Sequence, residues 1–130
     1  VKTRTEYAKA MMENTTSLAN SGYFDAVAHI DMYKWVFTLP DRFPLMDDGF
    51  KEENIKEDIE KALNAIKQNG LELEINPHFK KELYPSPYIT KRALELGIKF
   101  YFGSDAHKPQ DVGDKLDCIL NTEPYRRALL

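Results

Sequence analysis

Several features are scarce or missing in this sequence, and each absence excludes a class of protein. The single cysteine, Cys118, rules out an internal disulfide framework and suits a reducing compartment. No apolar run is long enough to cross a bilayer, and the first residues lack the apolar segment of a signal peptide. Basic tracts are limited to residues 80–81 and 126–127, and 21 acidic residues outnumber 18 basic ones, which disfavours nucleic-acid binding. We therefore expect a cytoplasmic protein with neither a membrane nor a nucleic-acid partner.

What the sequence does contain is an alternation of amphipathic and apolar segments. The clearest helix is predicted over residues 51–69, where Ile55, Ile59, Leu63 and Ile66 recur at helical spacing and charged residues cover the other face. Further helices are predicted over residues 5–20, over residues 88–96 and from Pro109 onward. The chain after Glu123-Pro124 is expected to be a short tail.

Three short apolar runs, over residues 23–30, 71–75 and 98–102, predict buried strands. Residues 32–49 and 79–85 are rich in proline or turn residues and are expected to be irregular. The resulting order is α-β-α-β-α-β-α, which is typical of a parallel sheet or a piece of a β/α barrel. With 130 residues the chain has the size of a single domain.

Polar side chains follow each of the three predicted strands. Because parallel strands end at one face of a sheet, we expect these side chains to meet there. Imidazole and carboxylate groups suit Zn²⁺, Mn²⁺ or Fe²⁺, and all three histidines of the chain fall in these clusters. The clusters are His29 with Asp31, Glu74 with Asn76 and His78, and Asp105 with His107.

Each cluster also has a reading without a metal. His29 could be a core histidine with satisfied hydrogen bonds, and Glu74 is better suited to a structural role behind the ligands than to direct ligation. His78 could be a loop residue near the site. Asp105 and His107 could belong to a loop that caps the following helix, although their joint context favours metal binding.

Four fragments, taken in order, resemble the later motifs of the PHP (polymerase and histidinol phosphatase) superfamily. The histidinol-phosphatase branch is the most similar. The fragments are FDAVAHID at residues 24–31, LEIN at 73–76, YPS at 84–86, and GSDAH at 103–107, the last followed by Val112-Gly113. The resemblance implies a distorted seven-stranded β/α (TIM-like) barrel, of which this chain would supply three parallel strands with flanking helices. It also implies up to three divalent metal ions (Zn, Mn or Fe) at the strand ends.

The same resemblance implies roles for particular residues. His29, Asp105 and His107 correspond to metal ligands, and the last two are the predicted catalytic residues. Lys34 lies where the family has a basic residue that binds substrate phosphate, and Asn76 and Lys80 lie where the family borders its substrate pocket. The implied activity is metal-dependent hydrolysis of a phosphate monoester such as L-histidinol phosphate, a reaction of histidine biosynthesis.

Two departures from the family pattern qualify this expectation. Residues 77–79 are Pro-His-Phe where histidinol phosphatases have small residues, so the chain departs from that branch beside the expected substrate pocket. The His-x-His of the family's first strand is absent, so we expect the C-terminal part of a barrel, poorly active alone, that needs its N-terminal half or self-associates. The alternatives are a non-catalytic α/β module that binds a metabolite or a partner, and a PHP exonuclease-type domain, which the acidic composition disfavours.

Overall fold

The computed structural model describes residues 1–79, 82–103 and 116–130. Within these ranges, helices and strands alternate along most of the chain. The helices are α1 (Arg4–Asn20), α2 (Tyr33–Val36), a 3-10 helix (Glu52–Ile55) that leads into α3 (Lys56–Gln68), α4 (Pro87–Glu95), α5 (Leu116–Leu120) and α6 (Tyr125–Leu129). The strands are β1 (Ala26–Val27), β2 (Glu72–Phe79), β3 (Glu82–Tyr84) and β4 (Phe100–Phe102).

Strand β2 is the centre of a four-stranded sheet. It pairs in parallel with β1, where Val27 lies opposite Leu73, and in parallel with β4, where Leu73 lies opposite Phe100. Its far end pairs with β3 in antiparallel orientation, with Asn76 opposite Tyr84. The predicted arrangement of three parallel strands with flanking helices is therefore confirmed, and β1, β2 and β4 end at a common face.

The two faces of this sheet differ in polarity because successive side chains of a strand point to opposite sides. Val27, Leu73 and Ile75 are buried on one face. The alternate positions of β2 carry Glu72, which is exposed, and Glu74, whose side chain is largely buried. One face is therefore covered by the helical layer, and the other is polar and partly open.

Helices α1 and α3 make the main packed layer. Ile59, Leu63 and Ile66 are all fully buried, as the predicted spacing required. Helix α1 begins at a side-chain cap, since Thr3 Oγ1 accepts a hydrogen bond from Glu6 N at 3.1 Å. Ile59, Leu63, Ile66 and Met12 of α1 belong to the larger of two apolar clusters in the described part of the chain.

Four segments differ from the sequence-based expectation. Strand β2 continues to Phe79 instead of ending at Ile75, so Asn76 lies within the strand and not after it. The strand predicted over residues 23–30 is reduced to two residues, because Tyr23 and Phe24 are 87% and 51% exposed and do not enter the sheet. The segment expected to be irregular before Pro85 contains β3, and the expected tail contains α6. None of the described helices is both long and apolar enough to cross a membrane.

Candidate functional site

His29 lies just beyond the end of β1 in an unusual backbone conformation. Its φ is 57°, and it is the one non-glycine residue with positive φ among the described residues. Side chains adopt this left-handed region at an energetic cost, and such residues cluster at functional sites. The His29 imidazole is 48% exposed and therefore accessible to a ligand.

The Glu74 carboxylate on β2 contacts both the backbone and the ring of His29. Its Oε1 atom lies 3.4 Å from the His29 backbone nitrogen and 3.5 Å from His29 Nδ1. The same oxygen accepts a 3.4 Å hydrogen bond from the Asn76 amide. Asn76, predicted to border a substrate pocket, is only 1% exposed, and its Oδ1 has no hydrogen-bond partner among the described residues. In this structure Asn76 is buried and contacts the Glu74 carboxylate.

The end of β4 approaches the same carboxylate. A Cβ atom at Gly103 would overlap Glu74 Oε2, so a larger residue at this position would force the carboxylate to move. Gly103 N also donates to Ile75 O at 2.9 Å, which holds it against β2. The structure thus brings His29, Glu74 and Gly103 together from the ends of three parallel strands.

Asp31 was expected to join His29 in a polar cluster at the strand ends, but it is fully buried and paired with Lys34 and Ser86. The left-handed turn at His29 interrupts the alternation of an extended strand, so Asp31 points inward and is fully buried. Its Oδ2 atom is 2.9 Å from Lys34 Nζ and 2.7 Å from Ser86 N. Asp31 and Lys34 are three residues apart, and this spacing could have predicted their ion pair from the sequence.

Lys34, the predicted phosphate-binding residue, is held on two sides. Besides its ion pair with Asp31, its ammonium lies 4.4 Å from the centroid of the Tyr84 ring. The Lys34 side chain is still 23% exposed and lines a cavity of about 370 Å³ with Arg4 and Phe50. An ammonium has three donors, so the pair with Asp31 leaves capacity for another acceptor.

A buried polar network continues from Asp31 to the 3-10 helix. Ser86 caps α4 by accepting from Ile89 N at 3.2 Å, and its hydroxyl donates to Glu52 at 2.6 Å. Burial raises the pKa of both Asp31 and Glu52 above the usual carboxyl range, although their hydrogen-bond partners oppose the shift. The network joins the loop after β1 to the beginnings of two helices.

The described residues contain no group of three or more histidine, cysteine, aspartate or glutamate side chains able to hold a metal ion. The predicted ligands Asp105 and His107, and the predicted substrate-binding Lys80, lie outside the described residues. Asp105 and His107 follow Gly103 within four residues of sequence. A larger cleft of about 610 Å³ between α1 and α3 contains none of the predicted residues.

The sequence was compared with known proteins, and no family model matches the chain. A probable histidinol-phosphatase of Deinococcus radiodurans is 37% identical over 100 residues, which cover 73% of this chain and 33% of that protein. The histidinol-phosphatase of Bacillus subtilis is 30% identical over 107 residues, 75% of this chain and 40% of that protein. This chain is similar to histidinol-phosphatases. It spans about a third to two fifths of the length of these curated relatives.

Proposed function

We propose that this chain is the C-terminal part of a PHP-type, metal-dependent phosphatase that hydrolyses a phosphate monoester such as L-histidinol phosphate. The observation that carries the proposal is the convergence of His29, Glu74 and Gly103 at one end of the parallel sheet. The similarity to two histidinol-phosphatases supports it independently. The barrel, the metal dependence and the substrate belong to the proposal.

The donor chemistry at the strand ends suits a divalent metal. An exposed imidazole backed by a carboxylate is a common arrangement for a histidine that binds Zn²⁺, Mn²⁺ or Fe²⁺. His29 would be one ligand, and Asp105 and His107 would be others because their segment begins at Gly103. Bound metal ions would supply Lewis acidity and a water of lowered pKa.

The remaining roles fall to the chain's own side chains. Lys34 would bind the phosphate, since its partly exposed ammonium is fixed in position by Asp31 and Tyr84. This cation would neutralise charge on the phosphoryl oxygens as the ester bond breaks. Lys80 is proposed to assist it, as the resemblance implies.

The polar, partly open face of the sheet indicates that another part of the protein or a second copy of the chain covers it. In a closed barrel this face would lie inside, and further strands would pair with the edges at β1 and β4, which have no other strand partner among the described residues. We propose that the N-terminal half of the barrel, or a second copy of the chain, covers it. Sedimentation velocity tests this: association or poor dispersion is expected, whereas a well-dispersed monomer contradicts it.

The phosphatase proposal is tested by hydrolysis assays with p-nitrophenyl phosphate and L-histidinol phosphate in the presence of Mn²⁺ or Zn²⁺. We expect turnover by the complete gene product that contains this chain, abolished by His29→Ala and unchanged by the surface control Lys91→Ala. The isolated 130-residue chain should be much slower. A complete product that hydrolyses neither ester with either metal would refute the proposal and favour a non-catalytic binding module.

A further inference from the structure

We infer that Glu74 is the positioning residue for His29: it holds the imidazole through Nδ1 and so presents Nε2 to the metal. The inference rests on the proposed function, because it takes His29 to be a metal ligand. The Glu74 carboxylate has one oxygen directed at His29 and the other at Gly103, at the end of β4.

The first step concerns the oxygen that faces His29. Glu74 Oε1 is 3.4 Å from the His29 backbone nitrogen and 3.5 Å from Nδ1, so one atom contacts both the main chain and the ring. The Glu74 side chain is only 10% exposed, which limits competition from water. A shielded acceptor at this place favours the tautomer of neutral imidazole that carries its proton on Nδ1.

The second step concerns the other oxygen. Oε2 occupies the space that a Cβ atom would need at Gly103, so the carboxylate lies close to the end of β4. The amide of Asn76, donating to Oε1 at 3.4 Å, fixes the carboxylate from its own strand. Glu74 is therefore fixed on β2 by Asn76 and lies close to β4 while it contacts His29 beyond the end of β1.

The third step is the consequence for ligation. A metal binds the ring nitrogen that carries no proton, and a carboxylate that holds the opposite N–H fixes both the tautomer and the orientation of the ring. Loss of such a partner typically lowers metal affinity by about 10- to 100-fold. The contact to the backbone nitrogen also stabilises the left-handed conformation of His29, which would otherwise be costly.

The decisive variant is Glu74→Gln, with Glu72→Gln as the matched control on the same face of β2. Long-range ¹H–¹⁵N NMR spectra of the metal-free chain report the His29 tautomer. We expect Nδ1–H in the unaltered chain and in the control, and a shift toward Nε2–H in Glu74→Gln. Gly103→Ala should have the same effect, because its Cβ displaces the carboxylate.

Zn²⁺ titration of the same variants gives the second readout. We expect affinity to fall about 10- to 100-fold for Glu74→Gln and to stay unchanged for Glu72→Gln. Predominant Nε2–H in the unaltered chain, or unchanged affinity in Glu74→Gln, would overturn the inference. The NMR comparison of the unaltered chain with Glu74→Gln needs no metal, so it decides the positioning role even if a chain that binds no Zn²⁺ refutes the proposed function.

Discussion

Removing the Lys34 ammonium should destabilise the fold strongly, because its partner is fully buried. Asp31 is 0% exposed, and its Oδ2 atom lies 2.9 Å from Lys34 Nζ. At an effective dielectric constant of about 20, charges at this distance attract by about 6 kcal/mol, which offsets the cost of burying them. Lys34→Met leaves the carboxylate buried without its counter-charge, a change that typically costs about 3–5 kcal/mol.

Urea unfolding followed by circular dichroism measures this cost. With a slope of about 2 kcal/mol per molar urea, the midpoint of Lys34→Met should fall by about 2 M. The double variant Asp31→Asn/Lys34→Met should recover much of the loss, since it also removes the buried charge. Lys91→Met, on the exposed face of α4, is the control and should leave the midpoint unchanged. A loss below about 1 kcal/mol for Lys34→Met would refute a tightly coupled buried pair.

Three further perturbations test the network and the core. Ser86→Ala removes the cap of α4 and the hydroxyl that donates to Glu52, so thermal unfolding should show a loss of about 1–2 kcal/mol; an unchanged melting temperature would contradict the capping role. Burial raises the folded-state pKa of Glu52, so its favourable contribution is greatest below its unfolded pKa of about 4.5 and is lost as pH rises through the raised value. Glu52→Gln should therefore flatten the fall in the free energy of unfolding across that window. A variant whose stability falls with pH as steeply as that of the unaltered chain would contradict this expectation. Leu63→Ala, at a fully buried position of α3, should cost about 2–5 kcal/mol in urea unfolding, and a loss under 1 kcal/mol would show that the site is not packed as described.

Much of the fold could be predicted because its signals are local. The spacing of Ile59, Leu63 and Ile66 specifies the buried side of α3 directly. Strand β1 was overestimated because an apolar run does not reveal which of its residues are covered, and Tyr23 is exposed. Helix α6 was missed because its anchor is not local: the Tyr125 hydroxyl donates to Pro85 O at 2.6 Å.

The candidate site was predictable in its location but not in its contacts. Parallel strands must end at one face, which placed His29 and Glu74 near each other. The inward turn of Asp31 depends on the left-handed backbone of His29, which its residue type does not signal. Gly103 was a usable clue, since a glycine at a strand end can mark a close approach by another group, here the Glu74 carboxylate.

The central claim is that this chain contributes ligands to the metal site of a phosphatase, and metal binding tests it most directly. The metal-free chain should be titrated with Zn²⁺ and Mn²⁺ by calorimetry, with metal content checked after dialysis. The account predicts stoichiometric binding of at least one of these ions, lost in His29→Ala and in Asp105→Ala and retained in Glu57→Gln on α3. Absence of binding under every loading condition, or binding that His29→Ala leaves unchanged, would contradict it.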